Sequence, residues 1–249
     1  MKLALSQVVA YNNIAVGAHQ EGKLPEAVIA LKTAIDYLRV VVNSLEQQQG
    51  HPQAPQEHPV TQGLSVRQLL HAHYNPLLNA SFSSVTSEAY QDTQKALTAV
   101  PTFCSLSADD GNTPPSFYDQ AFSIREEEDR HDIICAVVFY NLALVQHKRN
   151  AHRGSSLCRI LTLYEKAAMV TKNLCVSEDS VRLLLLAISN NMMHIHSTLF
   201  DRSALENSLA DFQALVYERP ADDEDDVFDF FVFSSIYYGS DPLQCAPMA

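Results

Sequence analysis

The chain has 249 residues, 47% of them hydrophobic and 18% charged, with a formal net charge of -12. That length bounds the answer to one large domain or two small ones with a substantial core. The acidic balance disfavours nucleic acid, whose affinity rests on many Lys and Arg contacts to phosphate, and it disfavours anionic membrane surfaces. A neutral or basic protein or peptide partner fits better.

Seven glycines and no tryptophan suit helices more than a glycine-rich β sandwich. The five cysteines, Cys104, Cys135, Cys158, Cys175 and Cys245, are odd in number and show no CxxC spacing. They imply a reduced compartment, hence a cytoplasmic protein. The first residues, MKLALSQVVAYNNIAVGA, mimic a signal peptide, but Ser6, Gln7, Asn12 and Asn13 interrupt the apolar run. The pattern continues directly into the first helix, so these residues are expected to belong to the domain. No apolar run reaches the roughly 18 residues that a membrane span needs.

In chain order, a first helix over about 5–21 places Val8, Tyr11, Ile14, Ala15 and Ala18 at steps of three and four, one apolar face. Gly22 follows as a natural helix stop, and Pro25 sits where a first-turn proline is tolerated. A second helix over about 24–46 repeats the period with Ala27, Leu31, Ala34, Ile35 and Leu38. Residues 1–46 thus form an αα-hairpin. Residues 47–131 read as a linker or insertion, partly disordered. Within it, 47–63 are Pro- and Gln-rich, 64–100 carry weak helical patterns broken by Pro76, and 105–116 are polar. FYDQAFSI at 117–124 is a short aromatic-rich segment, strand-like or simply docked. The acidic run after it suits a helix start.

Helical periodicity returns over about 132–150, 156–174, 178–199 and 203–217, giving two more hairpins within 132–218. Residues 219–249 are an acidic connector and a C-terminal capping segment. There DVFDFFVFSSIYY is apolar on nearly every face. A helix from near Asp226 is expected to pack on the third hairpin against Leu205, Leu209 and Phe212, because a stack of repeats otherwise ends in an open apolar face.

The hairpins match one another. NNIAVGAH at 12–19, YNLALVQH at 140–147 and NNMMHIH at 190–196 each place Asn before apolar residues and His near the helix end. A helix apolar on two faces cannot bury both within one hairpin, and stacking hairpins solves this. In the first unit, Tyr11, Ile14, Ala15, Gly22, Ala27, Leu31 and Ala34 stand at the spacing of a tetratricopeptide repeat (TPR), which the unit resembles; Ala18 departs from the motif's usual Tyr. The second unit keeps Phe139, Leu142, Ala143, Tyr164 and Ala167 with a longer turn. The third keeps only apolar character at Met192, Met193, Leu205, Leu209 and Phe212. The units are also longer than the usual repeat of about 34 residues. The resemblance implies an all-α fold, with stacked antiparallel hairpins forming a TPR-like α-α superhelix, and a non-enzymatic scaffold or adaptor that binds a peptide or helix in a concave groove.

By the same resemblance that groove is lined by Asn12, Val16, His19 and Gln20, then Tyr140, Leu144, His147 and Lys148, then Asn190, His194, Ser197 and Thr198. Asn13, Asn141 and Asn191 share one repeat position and are expected to face the neighbouring turn. No catalytic residue, cofactor or metal is assigned. The pairs His71/His73 and His194/His196 point to opposite sides of a helix and make no chelate alone. No GxSxG, HExxH, P-loop or GxGxxG motif occurs, and Cys158 and Cys175 have no His at a family spacing. Two other classes stay open: a metal-dependent enzyme using the clustered histidines, and a structural subunit of an oligomer.

Overall fold

In a computed structural model, residues 2–48, 117–150, 154–172, 179–217 and 226–240 are described. Residues 49–116, with the expected linkers and weak helices there, lie outside them, as do Cys104, Cys175 and Cys245. The described part is all-α. Its seven helices are α1 (Lys2–Gln20), α2 (Leu24–Gln48), α3 (His131–Asn150), α4 (Gly154–Lys172), α5 (Asp179–Thr198), α6 (Arg202–Tyr217) and α7 (Asp226–Gly239). Among the described residues no helix is long and apolar enough to cross a membrane.

Short connections make α1–α2, α3–α4 and α5–α6 packed neighbours. Each hairpin then packs on the next, α2 against α3 and α4 against α5. The first helices of successive hairpins also touch, α1 to α3 and α3 to α5, and α7 continues that row by packing on α5 and α6. Close approach is possible because small residues sit at the seams: Ala15, Ala27, Ala34, Ala136, Ala143, Ala167 and Ala187 are almost wholly buried. Helix α3 lies in the middle. Every residue from 134 to 145 is buried, as expected of a helix that is apolar on all sides. Its Phe139, Tyr140, Leu142 and Leu144 are among the largest buried side chains.

Helix α7 meets the sequence expectation. Phe231 stands edge-on to Phe212 of α6 with ring centroids 6.1 Å apart, and Phe228, Phe231 and Tyr238 join the same core as Leu205 and Phe212. Its outer face leaves Val232, Phe233 and Ile236 exposed.

The turns of the first and third hairpins share one device. At the end of α1, the Gly22 amide donates to the His19 carbonyl and the Lys23 amide to the Ala18 carbonyl. At the end of α5, Phe200 N donates to Ser197 O and Asp201 N to His196 O. Both are paired helix stops that need a left-handed residue, and Gly22 (φ 75°) and Phe200 (φ 56°) supply it. Asp201 then caps α6 by accepting from the Ala204 amide at 3.1 Å, so the helix starts one residue before the 203 expected from sequence.

Phe200 is two-thirds exposed, so its ring returns little for a conformation that costs a non-glycine residue about 1–2 kcal/mol. Phe200→Gly is therefore expected to stabilise the chain by about 1 kcal/mol, a rise of roughly 2–4 °C in Tm. Thermal unfolding followed by circular dichroism checks it; an unchanged or lower Tm would contradict the assignment of strain to this residue.

Candidate functional site

The site is built from one position repeated in three helices. Asn13, Asn141 and Asn191 do not face the neighbouring turn, as their register suggests. They project from α1, α3 and α5 onto residues 117–124, a non-helical strap that lies across the row of first helices.

Each carboxamide grips the amide and carbonyl of a single strap residue. Asn191 Oδ1 accepts from Tyr118 N at 2.7 Å and its Nδ2 donates to Tyr118 O at 2.9 Å. Asn141 does the same to Phe122, at 2.9 and 2.8 Å, and Asn13 to Ile124, at 2.8 Å for both bonds. The pairing copies what a neighbouring β-strand would offer. It also accounts for the backbone polar groups of a segment that has no secondary structure of its own. Six residue steps separate Tyr118 from Ile124, about 20 Å if extended, which matches two helix-to-helix spacings of about 8–10 Å.

Neighbouring side chains hold the clamps in place. Asn12 donates to Phe122 O at 3.0 Å and accepts from Asn141 Nδ2 at 2.8 Å, so both Asn141 amide hydrogens are used. The second Asn191 hydrogen goes to the Tyr164 hydroxyl at 3.1 Å. Tyr140 donates to Gln120 O at 3.1 Å; burial, then the nearby Tyr164, push its ionisation well above the usual tyrosine value, so the hydroxyl stays a donor.

Strap side chains meet an aromatic wall. Phe117 stacks on His147 at 4.2 Å and lies edge-on to His194 at 5.4 Å. Tyr118 packs between Phe122, Phe230 and Phe231, and Phe122 lies edge-on to Tyr140 at 5.1 Å. Lys148 pairs with Asp119 at 3.6 Å, both partly exposed, an ion pair that contributes little to stability.

Of the groove residues expected from sequence, Asn12, Tyr140, His147, Lys148 and His194 touch the strap directly. Val16 and Leu144 are buried apolar side chains. Asn190 is buried and donates to Asn191 Oδ1 at 3.4 Å. His19 is buried and senses the charges of Lys148 and Asp119. Gln20 and Thr198 are exposed, Ser197 is half-buried, and the Thr198 hydroxyl donates to its own helix at His194 O. The clamp residues themselves stand one position after Asn12, Tyr140 and Asn190, and the wall from Phe230 and Phe231 comes from the terminal helix. The signal for the clamps was the Asn repeated in register beside an aromatic segment with no helical period.

Among the described residues the histidines do not assemble a chelate. His147 and His194 approach to 5.1 Å between ring centroids, but among the described residues no group of three or more His, Cys, Asp or Glu side chains could hold a metal ion. Cys158 is exposed, and Cys135 is buried with its ionisation pushed far up by that burial and by Asp132. Compared with known protein families, curated proteins and solved structures, the chain matches none.

Burial governs the charge of this site. It lowers His147 to about 3, helped by the like charge of His194. It also lowers His19, with Lys148 adding to the effect and Asp119 opposing it, and it lowers His194. Folded imidazoles therefore stay neutral, while the unfolded chain takes up protons near the ordinary value of 6.5. The unfolded state binds more protons below that pH, so the stability these groups contribute is fully present above it and is lost as pH falls from about 6.5 toward 3. His147 alone accounts for about 2 kcal/mol by pH 5. Denaturant unfolding near pH 7.5 and near pH 5 should show that loss, and His147→Gln should remove most of it. A pH-independent midpoint would contradict the buried neutral state.

Proposed function

We propose that the chain is a non-enzymatic interaction module: a TPR-like stack of hairpins whose first helices form the concave face of an α-α superhelix, and whose groove holds an extended polypeptide. The observation that supports this is the set of three carboxamide clamps on the backbone of residues 117–124. A clamp that pairs with an amide and a carbonyl can grip any extended chain, as strand addition to a sheet does, while flanking pockets select side chains. The partner is a protein or peptide rather than nucleic acid or a membrane surface, in keeping with the acidic charge. The reading assigns no catalytic residue and no cofactor, and places the protein in the cytoplasm.

The test is selection of a displayed random-peptide library on the full-length chain, repeated with Asn141→Asp/Asn191→Asp. An aspartate keeps the acceptor oxygen but cannot donate to a carbonyl, and it places negative charge beside one. Enriched peptides should bind the parent chain at least about tenfold more tightly than the double variant, a difference of roughly 1.4 kcal/mol. Circular dichroism shows whether the variant keeps its helices. No enrichment, or enrichment of peptides that bind both proteins equally, would refute the reading.

A further inference from the structure

Resting on that reading, we infer that the groove takes, from a different protein, an extended segment of the pattern Phe-Tyr-Asp-x-x-Phe-x-Ile, and that residues 117–124 are its built-in competitor. Every position in the pattern has a counterpart in the helices. The first aromatic stacks on His147 and meets His194. The second enters the wall formed by Phe230 and Phe231. The acid meets Lys148. The third aromatic lies edge-on to Tyr140, and the aliphatic residue is buried beside the Asn13 clamp. Clamps at the second, sixth and eighth positions set the register.

Two features mark the strap as replaceable. First, it lies at the surface: residues 117–122 are each only half-buried, Ser123 is exposed, and Ile124 alone is buried. Its attachment rests on backbone pairing that another extended chain reproduces atom for atom. Second, the strap does not pair every polar atom around it. His19 Nε2, His147 Nε2, His194 Nδ1 and Asn190 Oδ1 are buried without a hydrogen-bond partner among the described residues. Buried polar groups against an optimised permanent element are ordinarily paired. A tethered segment holds the groove through its high effective concentration rather than through best fit.

The experiment uses the full chain and a fluorescein-labelled synthetic peptide of residues 116–124, SFYDQAFSI. Fluorescence polarisation should show saturable binding to a chain carrying Tyr118→Ala/Phe122→Ala in its own strap, at least about tenfold tighter than to the parent chain, whose strap competes. Adding Asn141→Asp should abolish that binding, and a scrambled peptide should not bind. Should the strap variant lose its helical circular dichroism, the parent chain still decides the matter: excess peptide should accelerate tryptic cleavage after Arg125 as the strap is displaced. Absence of binding to a folded variant, or peptide-independent cleavage of the parent, would make the strap a fixed part of the fold and overturn the proposal. Library peptides that need the asparagines yet lack the pattern, and that SFYDQAFSI does not displace, would overturn the pattern while leaving the proposed function standing. A dimer of the parent chain that the peptide dissociates would place a second copy's strap in the groove and overturn the assignment to a different protein.

Discussion

A buried or half-buried stretch of backbone with no helix or sheet of its own must find partners for its amides and carbonyls. In this protein those partners are side chains. Asn13, Asn141 and Asn191 hold the strap by both backbone groups of one residue each. A carboxamide donates and accepts side by side without needing to take up a proton, as a carboxyl group would. Ser or Thr would reach one group, and Asp would repel the carbonyl. The strap's position across three helices follows from this chemistry, and so does the spacing of its anchors.

The clamps work only if the helices that carry them hold register. That rests on ordinary packing. Helix α3 is buried on all sides between the first and third hairpins, and alanines at the seams let neighbours approach closely. The asparagines project from this row onto the strap. Tyr140 and Tyr164 extend the arrangement: each presents a buried ring to the core and a hydroxyl to the polar network. Histidines border the strap and are kept neutral by burial, so acidification opposes folding.

Much of this was legible from the residues. The three-and-four spacing of Val8, Tyr11, Ala15 and Ala18, and of Ala27, Leu31, Ala34 and Leu38, locates the first two helices, and Gly22 locates the turn between them. The terminal helix near Asp226 follows from the density of Phe and Tyr alone. Of the positions that the TPR resemblance implies, Asn12, Tyr140, His147 and His194 touch the strap. The role of the clamping asparagines was not legible. Their partners lie 111 residues away for Asn13 and 73 for Asn191, and no local pattern carries that pairing. Nor does a local rule place Phe200 in a left-handed turn; the paired helix stop there overrides the preference of a bulky residue.

Amide hydrogen exchange resolved by NMR tests the clamps most directly. The amides of Tyr118, Phe122 and Ile124 each donate to an asparagine, whereas Glu126 and Glu127 sit in the exposed turn that follows. The three clamped amides are predicted to exchange at least about tenfold more slowly, relative to their unfolded rates, than the two turn amides, the equivalent of roughly 1.4 kcal/mol of local opening free energy. Exchange at the unprotected rate at 118, 122 and 124, in a chain whose helical amides remain protected, would contradict the account.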